Sequence, residues 1–298
     1  WLLRWLAFRI MLGAGLIKLR GDPCWTELTC LTHHYETQPI PHPLSPWLHH
    51  LPSAAHTFGV AWNHFVELVV PWGVFGPRRV RNAAGALLVS FQGMLILSGN
   101  LAFLNWLTIV PCLAYFDDAF FVRVATLLSP GRAWASKLRH RLTSVPGREQ
   151  LSQGRRAAAL SFAVIVAGLS VAPVSNLLSD EQRMNTSFDP LNLVNTYGAF
   201  GSVGEVRREI VIEGTLARDP RAPDAQWREY AFRCKPGPID RRPCLITPYH
   251  LRLDWQIWFA AMERPEANPW LIHLIYKLLH AEEGALELLD GDPFEGEG

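Results

Sequence analysis

The sequence lacks an excess of charge of either sign. Its 298 residues include 28 Lys and Arg against 27 Asp and Glu, which gives a formal net charge of +1. Nucleic-acid-binding proteins usually have a concentrated basic excess, so this balance argues against nucleic acid as a partner. Intrinsic disorder is also excluded, because it requires low hydrophobicity and 49% of this chain is hydrophobic.

Common catalytic motifs are also missing from the sequence. It contains no G-x-S-x-G nucleophile elbow, no P-loop and no H-E-x-x-H zinc motif. The glycines of GAFGSVG (198–204) do not have the G-x-G-x-x-G spacing and follow no strong strand, so we interpret this segment as a turn. We therefore predict no catalytic residue, no metal ligand and no cofactor.

The chain does contain long apolar segments. Residues 82–116 and 157–179 have no charged side chain. About 20 apolar residues cross a bilayer, so 157–179 fits one span, and 82–116 is divided into two by a turn at Ser98-Gly99-Asn100. With two further apolar segments, the sequence predicts about five transmembrane helices within residues 1–180. They lie at 1–19, 57–76, 83–97, 101–128 and 157–179.

Basic residues in the short loops predict the orientation of these helices. Three arginines follow residue 76, and seven Lys or Arg lie between residues 128 and 157. The positive-inside rule places both loops in the cytoplasm. Residues 20–56 and 180–298 then lie on the opposite side, in the lumen if the membrane is that of the endoplasmic reticulum (ER), or in the periplasm if it is a bacterial cytoplasmic membrane.

Residues 181–298 have the pattern of a small exported α+β domain. Alternating apolar residues predict an antiparallel β-sheet with strands within 206–215, 227–234 and 245–254. The chain stops at an acidic segment, so we expect this domain to be C-terminally incomplete. Helices are predicted at 255–264, at 269–280 with Asn268 as the N-cap, and at 282–289.

Four of the five cysteines fall on the predicted outer side, where disulfides persist. Cys24 with Cys30, and Cys234 with Cys244, are close enough in sequence to close small loops. Four free thiols are the alternative. Zinc is less favoured, because neither pair has the C-x2-C spacing.

Polar residues inside the predicted spans form a candidate intramembrane site. The i, i+3 spacing of His64 and Glu67 puts both on one helix face, at a depth where ionisable groups are costly. They could bind a ligand, a proton or a redox group, or could simply fix helix packing. Asn100, Asn105, Asp117 and Asp118 pose the same alternative, and the two aspartates favour the structural role.

A histidine-rich segment and a group of tryptophans each allow a functional and a structural interpretation. Seven histidines lie between residues 33 and 64, where a metal or haem site is conceivable but a solvated interfacial loop is favoured. Trp255, Trp258 and Trp270 are candidate contacts for a client protein, although tryptophans at helical spacing more often belong to a core.

Several long segments of the chain carry a family resemblance. They are GAGLIKLRGDPCW (13–25), LTCLTHHYETQPIPHPLSPWLHHLP (28–52), NHFVELVVPW (63–72), FGPRR (75–79), LSGNLAFLNWLTIVPCLAYFDD (97–118), NTYGAFGSV (195–203), RRPCLITPYHLRLDWQIWFAA (241–261) and NPWLIHLIYKLL (268–279). Together, in this order, these segments resemble the lipase maturation factor family. The resemblance implies a polytopic ER membrane protein that assists secreted lipases in folding and assembly, with redox folding factors as further partners. It implies no catalytic residue.

The leading hypothesis is therefore a membrane-anchored maturation factor, whose partners are the bilayer and a secreted lipase or another exported client. The alternative is a membrane-embedded enzyme or redox protein, loosely similar to DoxX-like and vitamin K-dependent carboxylase-like bundles, with its site at His64 and Glu67. A transport role ranks last, because the sequence has no inverted repeat.

Overall fold

The computed structural model describes residues 1–128, 137, 140, 152–264 and 267–297. This part of the chain is mostly helical and contains one two-stranded antiparallel sheet. The helices are α1 (Leu2–Arg20), α2 (Pro23–Thr26), α3 (Leu31–Thr37), α4 (Ser45–His49), α5 (Ser53–His64), α6 (Arg78–Ser98), α7 (Leu104–Cys112), α8 (Asp118–Leu128), α9 (Gln153–Leu169), α10 (Val171–Leu178), α11 (Arg252–Met262), α12 (Pro269–Leu279) and α13 (Glu283–Leu286). The strands are β1 (Glu213–Gly214) and β2 (Arg228–Glu229).

The chain folds into two compact units, each assembled from three separate segments. The sequence prediction divides the chain once, at residue 180, whereas these units are discontinuous. The first unit comprises Trp1–Leu31, Pro52–Met94 and Asn105–Val203, and the second unit comprises Thr32–Leu51, Leu95–Leu104 and Gly204–Gly298.

Two helical segments are long and apolar enough to cross a membrane. They are α6 and the segment Gln153–Leu178, which contains α9 and α10. The apolar helical segment Leu104–Tyr115 is shorter. The prediction of five membrane helices is thus confirmed only as a mostly helical fold with two strongly apolar candidate spans in the described residues. Most of the basic loop predicted between 128 and 157 lies outside those residues.

The turn predicted at residues 98–100 is confirmed, because α6 ends at Ser98 and α7 begins at Leu104. The span predicted at 57–76 is one helical segment with three geometries. It continues from α5 into a π-helix at Phe65–Val69 and a 3-10 helix at Val70–Phe75. A π-helical turn inserts one extra residue per turn and often occurs at functional sites.

In the second unit, β1 and β2 pair with Glu213 opposite Glu229 and Gly214 opposite Arg228. The predicted sheet of longer strands is therefore wrong in extent, and α11 begins within the third predicted strand. Prolines at six positions between 220 and 248 remove backbone donors that a ladder needs. The apolar residues of the alternating segments pack instead against α11 and α12. This core consists of Ile212, Tyr230, Phe232, Ile257, Leu274, Leu278, Ala285 and Leu289.

The three helices predicted at the C-terminal end are confirmed as α11, α12 and α13. Asn268 precedes α12 at the N-cap position, but its side chain makes no capping hydrogen bond. Its Oδ1 accepts instead from the indole N–H of Trp270 at 3.0 Å.

Candidate functional site

A buried ion pair joins α1 to the π-helix in the first unit. The Lys18 ammonium donates to both carboxylate oxygens of Glu67, at 2.6 and 2.7 Å, and to Oδ1 of Asn63 at 3.1 Å. The Asn63 amide donates in turn to Oε2 of Glu67 at 2.9 Å. The Lys18 and Glu67 side chains are only 7% and 4% exposed. All three ammonium N–H groups are therefore used, and each charge is compensated within the protein.

Close packing of α1 fixes the position of this pair. A Cβ atom at Gly15 would lie 2.6 Å from Cδ2 of Leu68 and 3.0 Å from Cβ of Glu67. Glycine therefore lets the two backbones approach each other. The π-helical geometry at Phe65–Val69 sets the direction in which Glu67 leaves the backbone.

Trp25 links the ion pair to His64. Its ring centroid lies 5.0 Å from Nζ of Lys18 and 6.0 Å from the His64 ring centroid. Nε2 of His64 lies 2.9 Å from the carbonyl oxygen of Trp25, which can only accept, so Nε2 carries the proton. Trp25 therefore connects His64 to Lys18, the partner of Glu67, while His64 and Glu67 have different hydrogen-bond partners.

Asn105 belongs to a second polar contact of the first unit. It is buried, and its amide donates to Oε1 of Gln92 at 2.8 Å. Gln92 in turn donates towards Sδ of Met11 at 3.5 Å. This contact crosses from α7 to α6 and α1, as expected for polar groups that fix helix packing.

Asp117 forms a third polar cluster, at the start of α8. Its carboxylate binds the Arg78 guanidinium, accepts from the Asn82 amide at 3.1 Å and accepts from the backbone N–H of Phe120 at 2.9 Å. Asp118 begins α8 and is exposed. Asp117 therefore lies beside the beginning of α6, where Arg78 and Asn82 are located.

Asn100, the last of the predicted polar residues, lies in the second unit. It is completely buried, and its amide donates to the carbonyls of Pro41 at 3.0 Å and Cys244 at 2.8 Å. Its Oδ1 accepts from the backbone N–H of Ile246 at 3.2 Å. The six predicted polar residues thus occupy four separate places. His64 and Glu67 are linked only indirectly, through Trp25 and Lys18.

Comparison with known families agrees with the sequence resemblance. Residues 1–123 match the model of the lipase maturation factor transmembrane domain, and residues 193–298 match that of the lipase maturation factor C-terminal domain. The chain belongs to the lipase maturation factor family.

Individual relatives match almost the whole chain. Lipase maturation factor 1 of Bos taurus is 52% identical over 300 residues, which cover 99% of this chain and 53% of the relative. Lipase maturation factor 1 of Homo sapiens is 52% identical over the same shares of both chains. Lipase maturation factor 2 of Xenopus laevis is 31% identical over 382 residues, which cover 98% and 53%. The chain spans about half the length of these relatives. No solved structure matches it.

Both predicted cysteine pairs lie at disulfide distance. The Cα atoms of Cys24 and Cys30 are 4.7 Å apart, and those of Cys234 and Cys244 are 5.6 Å apart. Cys112 is a buried free thiol in the first unit. Sequence spacing was sufficient to find both pairs, because each closes a loop of at most ten residues.

The three tryptophans predicted as client contacts are engaged within the second unit. Trp255 is buried. The indole N–H of Trp258 donates to the carbonyl of Thr37 at 3.1 Å, and Trp270 packs against the core of this unit. Their neighbours Phe259, Ile272, Tyr276 and Leu279 are exposed on the same two helices.

Sequence reasoning missed a set of charged residues in the second unit, of which Lys235 and Asp254 are buried and Arg207 and Glu209 are half-buried. Asp254 is 1% exposed, and its Oδ1 accepts the backbone N–H groups of Cys234 and Lys235, both at 2.7 Å. Glu209 binds Arg207 and also lies 3.0 Å from Nζ of the buried Lys235. The sequence predicts exposed strands or the start of a helix at these positions. No local pattern indicates that Lys235 and Asp254 are buried.

Arg207 extends this set of charges to the loop before α4. Its guanidinium donates to the carbonyl oxygens of Gln38 and, at 3.0 Å, Pro39. Burial lowers the pKa of Arg207 from its ordinary value, against the opposing effect of Glu209. Among the described residues, no group of three or more His, Cys, Asp or Glu could hold a metal ion. Through these hydrogen bonds, Asp254 holds the start of the loop closed by Cys234 and Cys244, and Arg207 holds residues 38 and 39.

Proposed function

We propose that this chain is a membrane-anchored factor that assists secreted lipases in folding and assembly. The observation that carries the proposal is the 52% identity to lipase maturation factor 1 over 99% of the chain. The match to the transmembrane domain of the family supports the membrane anchor. The relatives named above are vertebrate proteins, which favours the ER membrane over a bacterial one.

The cysteines support the ER lumen as the compartment of the second unit. Two pairs at disulfide distance, at Cys24–Cys30 and Cys234–Cys244, suit the oxidising ER lumen. The same side is indicated by the basic residues at the opposite ends of the spans. In this proposal the second unit acts in the lumen, where secreted lipases fold and redox folding factors operate.

The five-span topology is also part of the proposal. Neither α1 nor the helical segment 53–75 is among the two strongly apolar spans, partly because of Lys18 and Glu67. Their ion pair neutralises both charges when the two segments pack together. This pairing supports the insertion of α1 and residues 53–75 as neighbours in the bilayer.

The client surface in this proposal is the exposed side of α12. Ile272, Ile275, Tyr276 and Leu279 follow the i, i+3, i+4, i+7 spacing of one helix face and are all exposed. The opposite face packs Leu274 and Leu278 into the core. Charged residues lie next to this stripe, including the exposed pair Lys277–Glu282, which indicates that it faces water rather than lipid. An apolar stripe in water fits the exposed apolar surface of an incompletely folded lipase.

Co-expression tests this function. The full chain is expressed with a secreted lipase in cells without an endogenous maturation factor, and secreted lipase activity is measured per amount of lipase protein. We expect the chain to raise this specific activity, and we expect Ile272→Ser with Tyr276→Ser to lose most of the increase. Leu216→Ser, an exposed apolar position of the same unit, is the matched control. A chain that never raises the specific activity contradicts the proposed function. Equal losses in the two variants contradict only the proposed surface.

A further inference from the structure

Three charge-free segments come together in the second unit around the turn between α6 and α7. They are residues 38–51, 98–104 and 244–251, and none contains Asp, Glu, Lys or Arg. Charged side chains are common in the remaining parts of this unit, at 204–243 and 252–298. An aqueous domain normally places charged groups at its exposed positions. The absence of formal charge from all three segments therefore requires an explanation.

Hydrogen bonds tie the segments to the end of α6. The Ser45 hydroxyl donates to the carbonyl of Ser98 at 3.1 Å, and Ser98 is the last residue of α6. The Asn100 amide donates to the carbonyls of Pro41 and Cys244, and Thr247 donates to the carbonyl of Ala102. The start of α4 and residues 244–247 are thus held against the residues that leave α6.

The length of α6 gives the depth of this region in a bilayer. Its 21 residues span about 31 Å at 1.5 Å per residue, close to the roughly 30 Å of the hydrocarbon core. Arg78 and Arg79 lie at its first end, which is the cytoplasmic end by the positive-inside rule. Ser98 therefore lies at the outer boundary of the hydrocarbon, in the headgroup layer. Groups bonded directly to residues 98–102 lie in the same layer or next to it.

The exposed side chains in these segments are large and apolar. Trp47 is 78% exposed and Tyr249 is 66% exposed. Trp47 is two residues from Ser45, and Tyr249 is two residues from Thr247, and both of these residues are hydrogen-bonded to the segment 98–102. The backbone of each aromatic residue therefore lies within about 7 Å of the backbone of its hydrogen-bonded neighbour. Tryptophan and tyrosine are enriched in the headgroup layer, where their rings are partly apolar and partly hydrogen-bonding. Exposed Leu44, Leu51, Phe103 and Leu245 complete the set.

We propose that these six residues form an interfacial collar, which rests in the outer headgroup layer of the membrane. The occupant of the collar is the lipid bilayer, and the collar holds the second unit on the membrane surface. Attachment to the end of a membrane helix and the absence of Asp, Glu, Lys and Arg from the surrounding segments distinguish the collar from the α12 stripe. The proposal requires only that α6 crosses the membrane, and it holds whether or not the client is a lipase.

Site-specific photocrosslinking tests the collar. The full chain is made with the photoreactive residue benzoylphenylalanine in place of Trp47 or Tyr249, and is reconstituted into phosphatidylcholine vesicles with an unfolded secreted lipase present. Trp227 is the matched control, because it is 50% exposed in the same unit but lies between Asp224 and Arg228. After illumination, mass spectrometry measures phospholipid and protein adducts at each position.

We expect phospholipid adducts at positions 47 and 249 to exceed those at position 227 several-fold. Lipid labelling equal to that at position 227 overturns the proposal. Crosslinks at 47 and 249 that join only the lipase or a second copy of the chain also overturn it, because the surface would then bind protein. Positions 44 and 103 provide a second pair if a variant at 47 or 249 does not form the Cys234–Cys244 disulfide.

Discussion

Asn100 and Cys244 are 144 residues apart in sequence, yet the Asn100 side chain donates a 2.8 Å hydrogen bond to the Cys244 backbone carbonyl. The oxygen atom of the same side-chain amide accepts a hydrogen bond from the backbone N–H of Ile246. Cys244 is also tied to Cys234, whose backbone N–H binds the buried carboxylate of Asp254. A continuous set of bonds therefore connects the turn after α6 to the first turn of α11 through the disulfide.

Replacing Asn100 tests the importance of this connection. Asn100→Leu removes one acceptor and two donated bonds at a buried position. Since an unsatisfied buried group costs about 1–3 kcal/mol, we expect a loss of several kcal/mol in stability and faster proteolysis of the second unit. Thermal unfolding in detergent and limited trypsin digestion measure both effects. Gln226→Leu removes an exposed amide from the same unit and is expected to change little. Similar behaviour of the two variants contradicts the importance of Asn100.

The Lys18–Glu67 pair is open to a double-mutant cycle. Lys18→Met leaves the Glu67 carboxylate buried without its counter-charge, so we expect a loss of about 3–5 kcal/mol in the free energy of unfolding. Lys18→Met with Glu67→Leu removes both charges and is expected to recover most of that loss. Chemical unfolding in mixed detergent micelles provides the free energies.

The exposed pair Lys277–Glu282 is the matched control for this cycle, because its side chains are 50% and 45% exposed. Lys277→Met is expected to cost no more than about 1 kcal/mol. A double variant as unstable as Lys18→Met alone is incompatible with charge burial as the cause. The loss would then arise from packing.

The two disulfides predict a simple count of thiols. The chain has five cysteines, and the structure pairs four of them, leaving Cys112. Denatured but unreduced protein should therefore react with one maleimide-polyethylene glycol group per chain, and reduced protein with five. Protein purified without reducing agent should give these two shifts in gel electrophoresis. Five reactive thiols before reduction contradict the pairing.

We expect His250 to make the stability of the folded chain depend on pH in the mildly acidic range. Burial, and then the positive charge of Arg252, lower the pKa of His250 below its ordinary value of 6.5. The folded state therefore favours neutral imidazole. Its contribution to stability is complete above the unfolded pKa and is lost as the pH falls from 6.5 through the folded pKa. The ring lies against Phe103 and Trp255, with centroids 6.1 and 5.6 Å away.

His250→Gln removes this titration, so its melting temperature should change less between pH 7 and pH 5 than that of the unsubstituted chain. His273→Gln, at an exposed position of α12, is expected to retain the original dependence. The same pH dependence in all three proteins assigns the effect to another group.

Local sequence patterns were sufficient for the features that depend on near neighbours. Charge-free length predicted α6 and the segment 153–178, and the turn residues Ser98-Gly99-Asn100 predicted the break before α7. Cysteine spacing predicted both pairs, although free thiols were an open alternative. Each of these patterns involves residues that are no farther apart in sequence than the two ends of one helix.

The remainder depends on contacts that no local pattern encodes. Glu67 was predicted as part of a polar site, but its partner Lys18 is 49 residues away, and no local pattern pairs the two residues. Alternating residues at 206–215 predicted a strand, yet only Glu213 and Gly214 pair, because the neighbouring apolar side chains pack on helices instead. The predicted positions of Trp255 and Trp258 on a helix were correct, but the sequence could not show which face is covered.

The discontinuous composition of the second unit sets an order for its folding during synthesis. Residues 32–51 and 95–104 leave the ribosome long before residues 204–298, with which they form one compact unit. Until then, Asn100 has no Cys244 or Ile246 to bind, and Cys234 and Cys244 do not yet exist in the chain. Long-range closure of this kind is slow and leaves unpaired groups accessible in the meantime. The second unit is thus late-closing, and its assembly depends on the folding environment around the chain until residues 204–298 have been made.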